Sequence, residues 1–261
     1  MHRRLAAFLL IVSCVGAPAR AQIAADLTLP RPAECCLVGA AEHLAEQLQD
    51  WNQLGRYHEA NVELKRHAAE TGRVVFMGDS ITDGWVLETS FPGKPYVNRG
   101  IGGQTTAQML VRMYPDVIAL NPAAVIILAG TNDIARNNGP QTLEMIQQNL
   151  IAMTELAKTH RIRIILCSLL PITDAKTGQS GGPIVQSVRR PPADILELNA
   201  WLMSYAKTIG AGFADYYTAT VDAKGFLRTD DMNDGLHPTA AGYTLMAPVA
   251  AAAIEKTLRG S

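Results

Sequence analysis

From residue 73 onward the chain alternates short apolar runs rich in β-branched residues with longer amphipathic stretches, and few architectures accept that order. Runs at 73–77, 96–97, 123–128, 163–169 and 212–216 read as strands. Stretches at 106–114, 142–159 and 194–208 read as the helices between them, and 239–258 closes the chain. Strands separated by helices pair in parallel, and a parallel sheet has to be covered on both faces. Pro140 and Pro238 stand at or just before helix starts, where a missing N–H costs nothing. Neither internal repeats nor low-complexity segments interrupt the pattern.

The first residues have a different character. His2, Arg3 and Arg4 precede an apolar run at 5–15, followed by Ala19-Arg20-Ala21, the pattern of a secretory signal peptide with cleavage expected after Ala21. The apolar run is about half of the ~20 residues that span a bilayer, and no later segment is long and uncharged enough to do so. The alternative is a lipoprotein signal at Ile11-Val12-Ser13-Cys14, with Cys14 acylated as the mature N-terminus. Either way the protein is expected outside the cytoplasm, periplasmic or secreted. Removing 1–21 from the 261 residues takes away three arginines and no acid, leaving 20 basic against 24 acidic side chains. That balance gives no electrostatic case for nucleic acid as a partner.

The expected organisation is a signal peptide at 1–21, a leader and helical extension at 22–70, and one α/β domain at 71–261. Within the extension, Leu44, Leu48, Trp51 and Leu54 recur at helical spacing, an apolar face expected to pack on the main body. Cys35 and Cys36 are adjacent, with a disulfide at either left open, and Cys167 in its apolar run reads as a small core residue. Neither the cysteines nor the scattered histidines show zinc-ligand spacing, so no metal is inferred. The long connection at 172–193 contains Gly178, Gly181, Gly182, Pro183 and Arg189-Arg190-Pro191-Pro192. Such connections often border a site, where this one could act as a lid, or run as disordered surface excursions with their arginines solvated.

In an open parallel sheet the strand C-termini meet at a crevice. Four polar segments leave strands at that edge: Gly78-Asp79-Ser80, Asn98-Arg99-Gly100-Ile101-Gly102-Gly103, Gly130-Thr131-Asn132-Asp133, and Asp234-Gly235-Leu236-His237. Ser80, just past a strand, can aim its hydroxyl into the crevice while its own N–H faces the same space. Read alone it would be a helix N-cap. Asp234, three residues before His237, can orient the imidazole and stabilise its protonated form. Gly102-Gly103 lets backbone N–H groups approach closely, and the Asn132 amide offers a further donor. Acyl transfer needs such donors for the oxygen that becomes negative.

These four blocks, in this order, resemble the SGNH hydrolases, also called the GDSL esterase/lipase family: Gly78-Asp79-Ser80-Ile81-Thr82, Gly100-Ile101-Gly102-Gly103-Gln104-Thr105-Thr106, Gly130-Thr131-Asn132-Asp133 and Asp234-Gly235-Leu236-His237-Pro238. The resemblance spans about 73–258. It implies Ser80 as nucleophile, His237 as base and Asp234 as its partner. It likewise implies the Ser80 N–H, Gly103 and Asn132 as the oxyanion hole, while Asp79 is expected to support the turn and Asp133 to order its loop as a hydrogen-bond acceptor. The fold expected is a three-layer α/β/α sandwich around a doubly wound, five-stranded parallel sheet in the flavodoxin-like order 2-1-3-4-5. No cofactor is expected. The second block is most similar to the branch of platelet-activating-factor acetylhydrolase catalytic subunits, which prefer short acyl groups, although Gln104 stands where that branch often has an acid. The expected activity is therefore a secreted short-chain esterase. Its substrate is a small ester or an acetylated carbohydrate, and lysophospholipase, thioesterase or arylesterase activity is the alternative within the same family. A rival of another class is a carbohydrate- or lipid-binding protein that keeps the shape without turnover.

Overall fold

The structure, a computed structural model, describes residues 49–174, 185–228 and 234–260. Expectations that fall on 1–48 (the signal peptide, Cys14, Cys35-Cys36, Leu44 and Leu48) and on 175–184 lie outside the described residues. Five strands, β1 (Val74–Gly78), β2 (Tyr96–Gly100), β3 (Ala124–Leu128), β4 (Arg163–Cys167) and β5 (Gly212–Ala214), form one sheet in the order β2-β1-β3-β4-β5. All four pairings are parallel. Every residue of β1 and β3 is buried, which is why both read as unbroken apolar runs rather than alternating ones. Helices Thr106–Asp116, Leu143–Thr159 and Pro192–Ile209 pack together on one face. The closing helix Ala240–Arg259 packs on β3, β4 and β5 from the other, completing the three-layer α/β/α sandwich.

On the side of the closing helix the core is aromatic. Phe76 of β1 contacts Trp85, Phe91 and Tyr96, and Trp85 stacks on Tyr243 at 5.3 Å between ring centroids. This cluster folds the 80–96 segment back under the sheet and anchors the short helix Ser80–Asp83. The register aligns Gly78 with both Gly100 and Leu128, so the turns after β1, β2 and β3 leave the sheet at one level.

Several expected boundaries move, each for a local reason. β2 continues through Gly100, beyond the brief run expected at 96–97. β4 ends at Cys167 rather than 169, because the N–H and C=O of Leu169 are taken by the side-chain amide of Asn199, at 2.7 and 3.0 Å, instead of a neighbouring strand. β5 ends at Ala214 rather than 216, because Asp215 caps the helix Tyr216–Thr220 through the Thr218 N–H. The helical extension also differs. Trp51 and Leu54 are each 41 % exposed, and the contacts of this segment with the main body include polar ones, the carbonyls of Trp51 and Asn52 accepting from the side chains of Gln108 and Gln104.

Helix His58–Lys65 docks against Thr106–Asp116 as well, with Leu64 packed on the core and a set of polar contacts beside it. Buried Asn61 donates to Asp116 and accepts from Arg99 Nε, and Arg112, fully buried, bonds Asp116 at 2.6 Å and Gln104 Oε1 at 2.7 Å. Side chains also take backbone groups of β2. Tyr57 donates its hydroxyl to the Gly100 carbonyl, Arg99 donates to the Asn98 carbonyl, and Asn98 Oδ1 accepts the Gly100 N–H. Cys167 is a free, buried thiol whose pKa burial pushes upward. Among the described residues no helix is long and apolar enough to cross a membrane, and no three His, Cys, Asp or Glu side chains cluster to hold a metal ion.

Candidate active site

β1 delivers the chain at Gly78 into a sharp strand-to-helix turn. Asp79 is the N-cap of Ser80–Asp83, its Oδ1 accepting the Ile81 N–H at 2.9 Å, which leaves Ser80 on the first helical residue at the rim of the crevice. The Ser80 hydroxyl lies 2.8 Å from His237 Nε2, although 157 residues separate the two in the chain. His237 Nδ1 lies 2.7 Å from Asp234 Oδ2. Asp234 Oδ1 accepts the backbone N–H groups of Leu236 and His237 at 3.1 and 2.8 Å, so one carboxylate shapes the loop and orients the ring. With Nδ1–H facing Asp234, the lone pair of Nε2 faces the serine hydroxyl, the tautomer that general-base catalysis requires.

The same segment is held from a second side. Gly235 adopts φ +78°, accepts the Thr173 N–H at 2.9 Å and sits so close to the Thr173 carbonyl that a Cβ there would fall 2.0 Å from the oxygen. Only glycine meets both demands.

The turn after β2 passes beside the serine, since a Cβ on Gly102 would lie 3.7 Å from Ser80 Cβ. Gly103 follows at φ +79°, a left-handed conformation that turns the backbone at the crevice. Asn132 is buried in the turn after β3. Its Nδ2 donates to the Gln104 carbonyl at 3.1 Å, and its Oδ1 accepts from Asn137 Nδ2 at 2.9 Å. Asn137 Nδ2 also reaches the Gly103 carbonyl at 3.2 Å, so the second and third blocks are hydrogen-bonded to each other. Asp133 accepts the N–H and hydroxyl of Thr106, fixing the start of helix Thr106–Asp116.

The three aspartates differ electrostatically. Burial pushes Asp79 up to about 6, opposed by the Ile81 N–H and by the positive charges of Arg190 and His237. Burial likewise pushes Asp133 up to about 6 despite the Thr106 bonds. For Asp234, partial burial alone would raise the pKa, but the backbone and imidazole N–H groups of His237 and the Leu236 N–H outweigh it and hold the carboxyl below its ordinary value.

Two arginines in the long connection were readable as solvated charges. Arg189 is exposed and donates to Asn137 Oδ1 at 3.1 Å. Arg190 is instead buried, and with Gln186 it belongs to the surroundings of the site, which sequence spacing did not reveal. The adjacent Arg189-Arg190-Pro191-Pro192 run in a connection bordering the crevice was the available signal. A separate cleft of about 910 Å³, lined by Lys158, Arg163, Gly212 and Lys256 among others, opens at the opposite edge of the sheet and touches none of these residues.

Residues 76–245 match the family model described as the GDSL-like Lipase/Acylhydrolase family. Among solved structures, a candidate acylhydrolase from Bacteroides fragilis is 43% identical with a TM-score of 0.72, the match covering 80% of this chain and 99% of that one. A GDSL-like lipase from Bacteroides thetaiotaomicron is 38% identical with a TM-score of 0.69, covering 78% and 98%. The uncharacterized lipoprotein YqeF of Bacillus subtilis is 33% identical over 120 residues, 39% of this chain, and the match spans about half (49%) of that protein's length.

Proposed function

Because the chain belongs to the GDSL-like lipase/acylhydrolase family, and is thus a serine-dependent ester hydrolase, we propose that Ser80, His237 and Asp234 carry its chemistry. The observation that supports this is the unbroken hydrogen-bond series from the Ser80 hydroxyl through the imidazole to Asp234. His237 Nε2 removes the hydroxyl proton as Ser80 Oγ attacks the ester carbonyl, and the carbonyl π electrons move onto oxygen. That oxyanion is received by the N–H groups of Ser80 and Gly103 and by Asn132 Nδ2. Collapse breaks the ester C–O bond, and the alcohol leaves with the proton held on His237. Water then repeats the sequence on the acyl-serine, releasing the acid and restoring the hydroxyl. Asp234, ionised throughout, stabilises the imidazolium in both halves.

The substrate we propose is a short acyl ester, acetyl above all, with O-acetylated carbohydrate as the leading class. Two considerations support it. The Gly100–Thr106 block is most similar to the short-acyl branch of the family, and an exported enzyme meets polysaccharide more readily than intracellular lipid. Export is part of the same reading, with the mature chain beginning at Gln22, or at an acylated Cys14 if the lipoprotein signal operates.

An ester panel crossing acyl length with alcohol type, acetylated xylan included, tests the proposal. The expected maximum is at two carbons, and a maximum at eight or more defeats it in favour of the lysophospholipase or thioesterase alternatives. Ser80→Ala should abolish p-nitrophenyl acetate turnover with the folded-state spectrum intact. Retained turnover rejects the assignment of the nucleophile.

A further inference from the structure

Arg190 is 4 % exposed, yet it forms no ion pair with a carboxylate among the described residues. Its guanidinium spends its donors on neutral oxygens: Nε on Thr131 Oγ1 at 3.2 Å, Nη2 on Asn132 Oδ1 at 3.2 Å, and Nη1 on Gln186 Oε1 at 2.7 Å. Gln186 in turn donates to the Asp234 carbonyl at 3.2 Å. A buried cation without a direct counter-ion is costly and calls for a physical reason. Two of its three acceptors belong to the Thr131-Asn132 turn, and the third leads to the loop of the catalytic base.

We infer that Arg190 is a positioning residue for the oxyanion hole, locking the orientation of the Asn132 amide and polarising it toward the oxygen that becomes negative during acyl transfer. The inference rests on the acyl-transfer reading of the site. Guanidinium and amide N–H groups can only donate. With Arg190 Nη2 and Asn137 Nδ2 both aimed at Asn132 Oδ1, a flipped amide would set donor against donor, so Nδ2 is held on the opposite side. A cation bonded to the amide oxygen also draws electron density from the nitrogen, strengthening the remaining N–H as a donor in a site of low dielectric. Burial draws the Arg190 pKa down to about 10, aided by Arg189 and opposed by Asp79 and Asp234, so the charge persists at neutral pH. Arg190 never touches the substrate in this arrangement. It acts through Asn132.

A double-mutant cycle with p-nitrophenyl acetate tests this. Arg190→Gln should lower kcat about 10-fold with KM within about 2-fold of wild type, and Asn132→Ala should lower kcat by about 10²-fold or more. The double variant should be no slower than Asn132→Ala, because Arg190 has nothing left to act through. Multiplying losses, or an effect confined to KM, overturns the inference. If Arg190→Gln does not fold, Arg190→Lys replaces it, keeping the charge while losing the planar fork. A fall in kcat at an unchanged melting temperature then supports the inference, and wild-type kcat overturns it. Ser80→Ala separates the two levels. Turnover retained there sinks the acyl-transfer reading itself, whereas an inactive Ser80→Ala beside a fully active Arg190→Gln sinks only the role of Arg190.

Discussion

Asp79 and Asp133, on the turns that carry Ser80 and Asn132, are completely buried, whereas Asp234, in the loop that carries His237, keeps 34% of its side chain in solvent. The first two are pushed up to about 6 and the third is held below the ordinary carboxylate value. Donor count alone does not explain the contrast. Asp133 accepts from both the N–H and the hydroxyl of Thr106, and burial still dominates it, while Asp79 Oδ2 has no partner among the described residues. Partial solvation combined with three protein N–H groups keeps Asp234 charged. One sheet edge therefore carries both buried carboxyls that only organise backbone and a partly solvated one that, in the proposed mechanism, stays negative beside an imidazolium.

The sharpest way to break this contrast is Asp234→Asn, which removes the charge and disturbs the tautomer of His237. kcat for p-nitrophenyl acetate should fall by about 10⁴ with little change in melting temperature. A loss below 10-fold would mean that the charge of Asp234 is dispensable. Next in size is Gly235→Ala, which forces the base loop off the Thr173 carbonyl. A displacement of His237 on the order of 1 Å should cost about 10² in kcat, and steady-state kinetics with an unchanged far-ultraviolet spectrum would show it.

The smallest effect concerns stability and pH. A carboxyl whose folded pKa is raised binds its proton more tightly in the native state, so between about 4 and 6 the folded chain holds more protons than the unfolded one. Stability from Asp79 and Asp133 therefore rises as pH falls from 7 toward 4.5. The contribution of Asp234, whose pKa is lowered, is present above about 4 and disappears as pH drops through its folded value. Scanning calorimetry should record a melting temperature roughly 5 °C higher near pH 5 than at pH 7, and Asp79→Asn should remove about half of that rise. A flat profile in wild type would contradict the buried-charge account.

The sheet was legible because β1 and β3 are buried on both faces and so must be apolar throughout. β4 and β5 overran in the sequence because Leu169, Leu170 and Tyr216 extend the apolar run. Only tertiary partners, Asn199 for Leu169 and the capping Asp215, show where pairing stops. In the site, the pairing of Asp234 with His237 was accessible because it is local, three residues apart in one loop. Arg190 was not. Its acceptor Asn132 is 58 residues away, and nothing in an Arg-Arg-Pro-Pro run says which arginine turns inward. The helical spacing of Trp51 and Leu54 likewise says nothing of the polar contacts that Tyr57 and Asn61 make with the body.

An open sheet ends in strands whose unpaired amides can recruit a strand from another molecule and seed aggregates. At one margin of this sheet, Tyr57, Asn98 and Arg99 already occupy three main-chain groups of β2. At the other margin β5 has only three residues to offer. A neighbouring chain would find little on which to zip, so the side chains that finish β2 leave less of the sheet's margin open to strand addition.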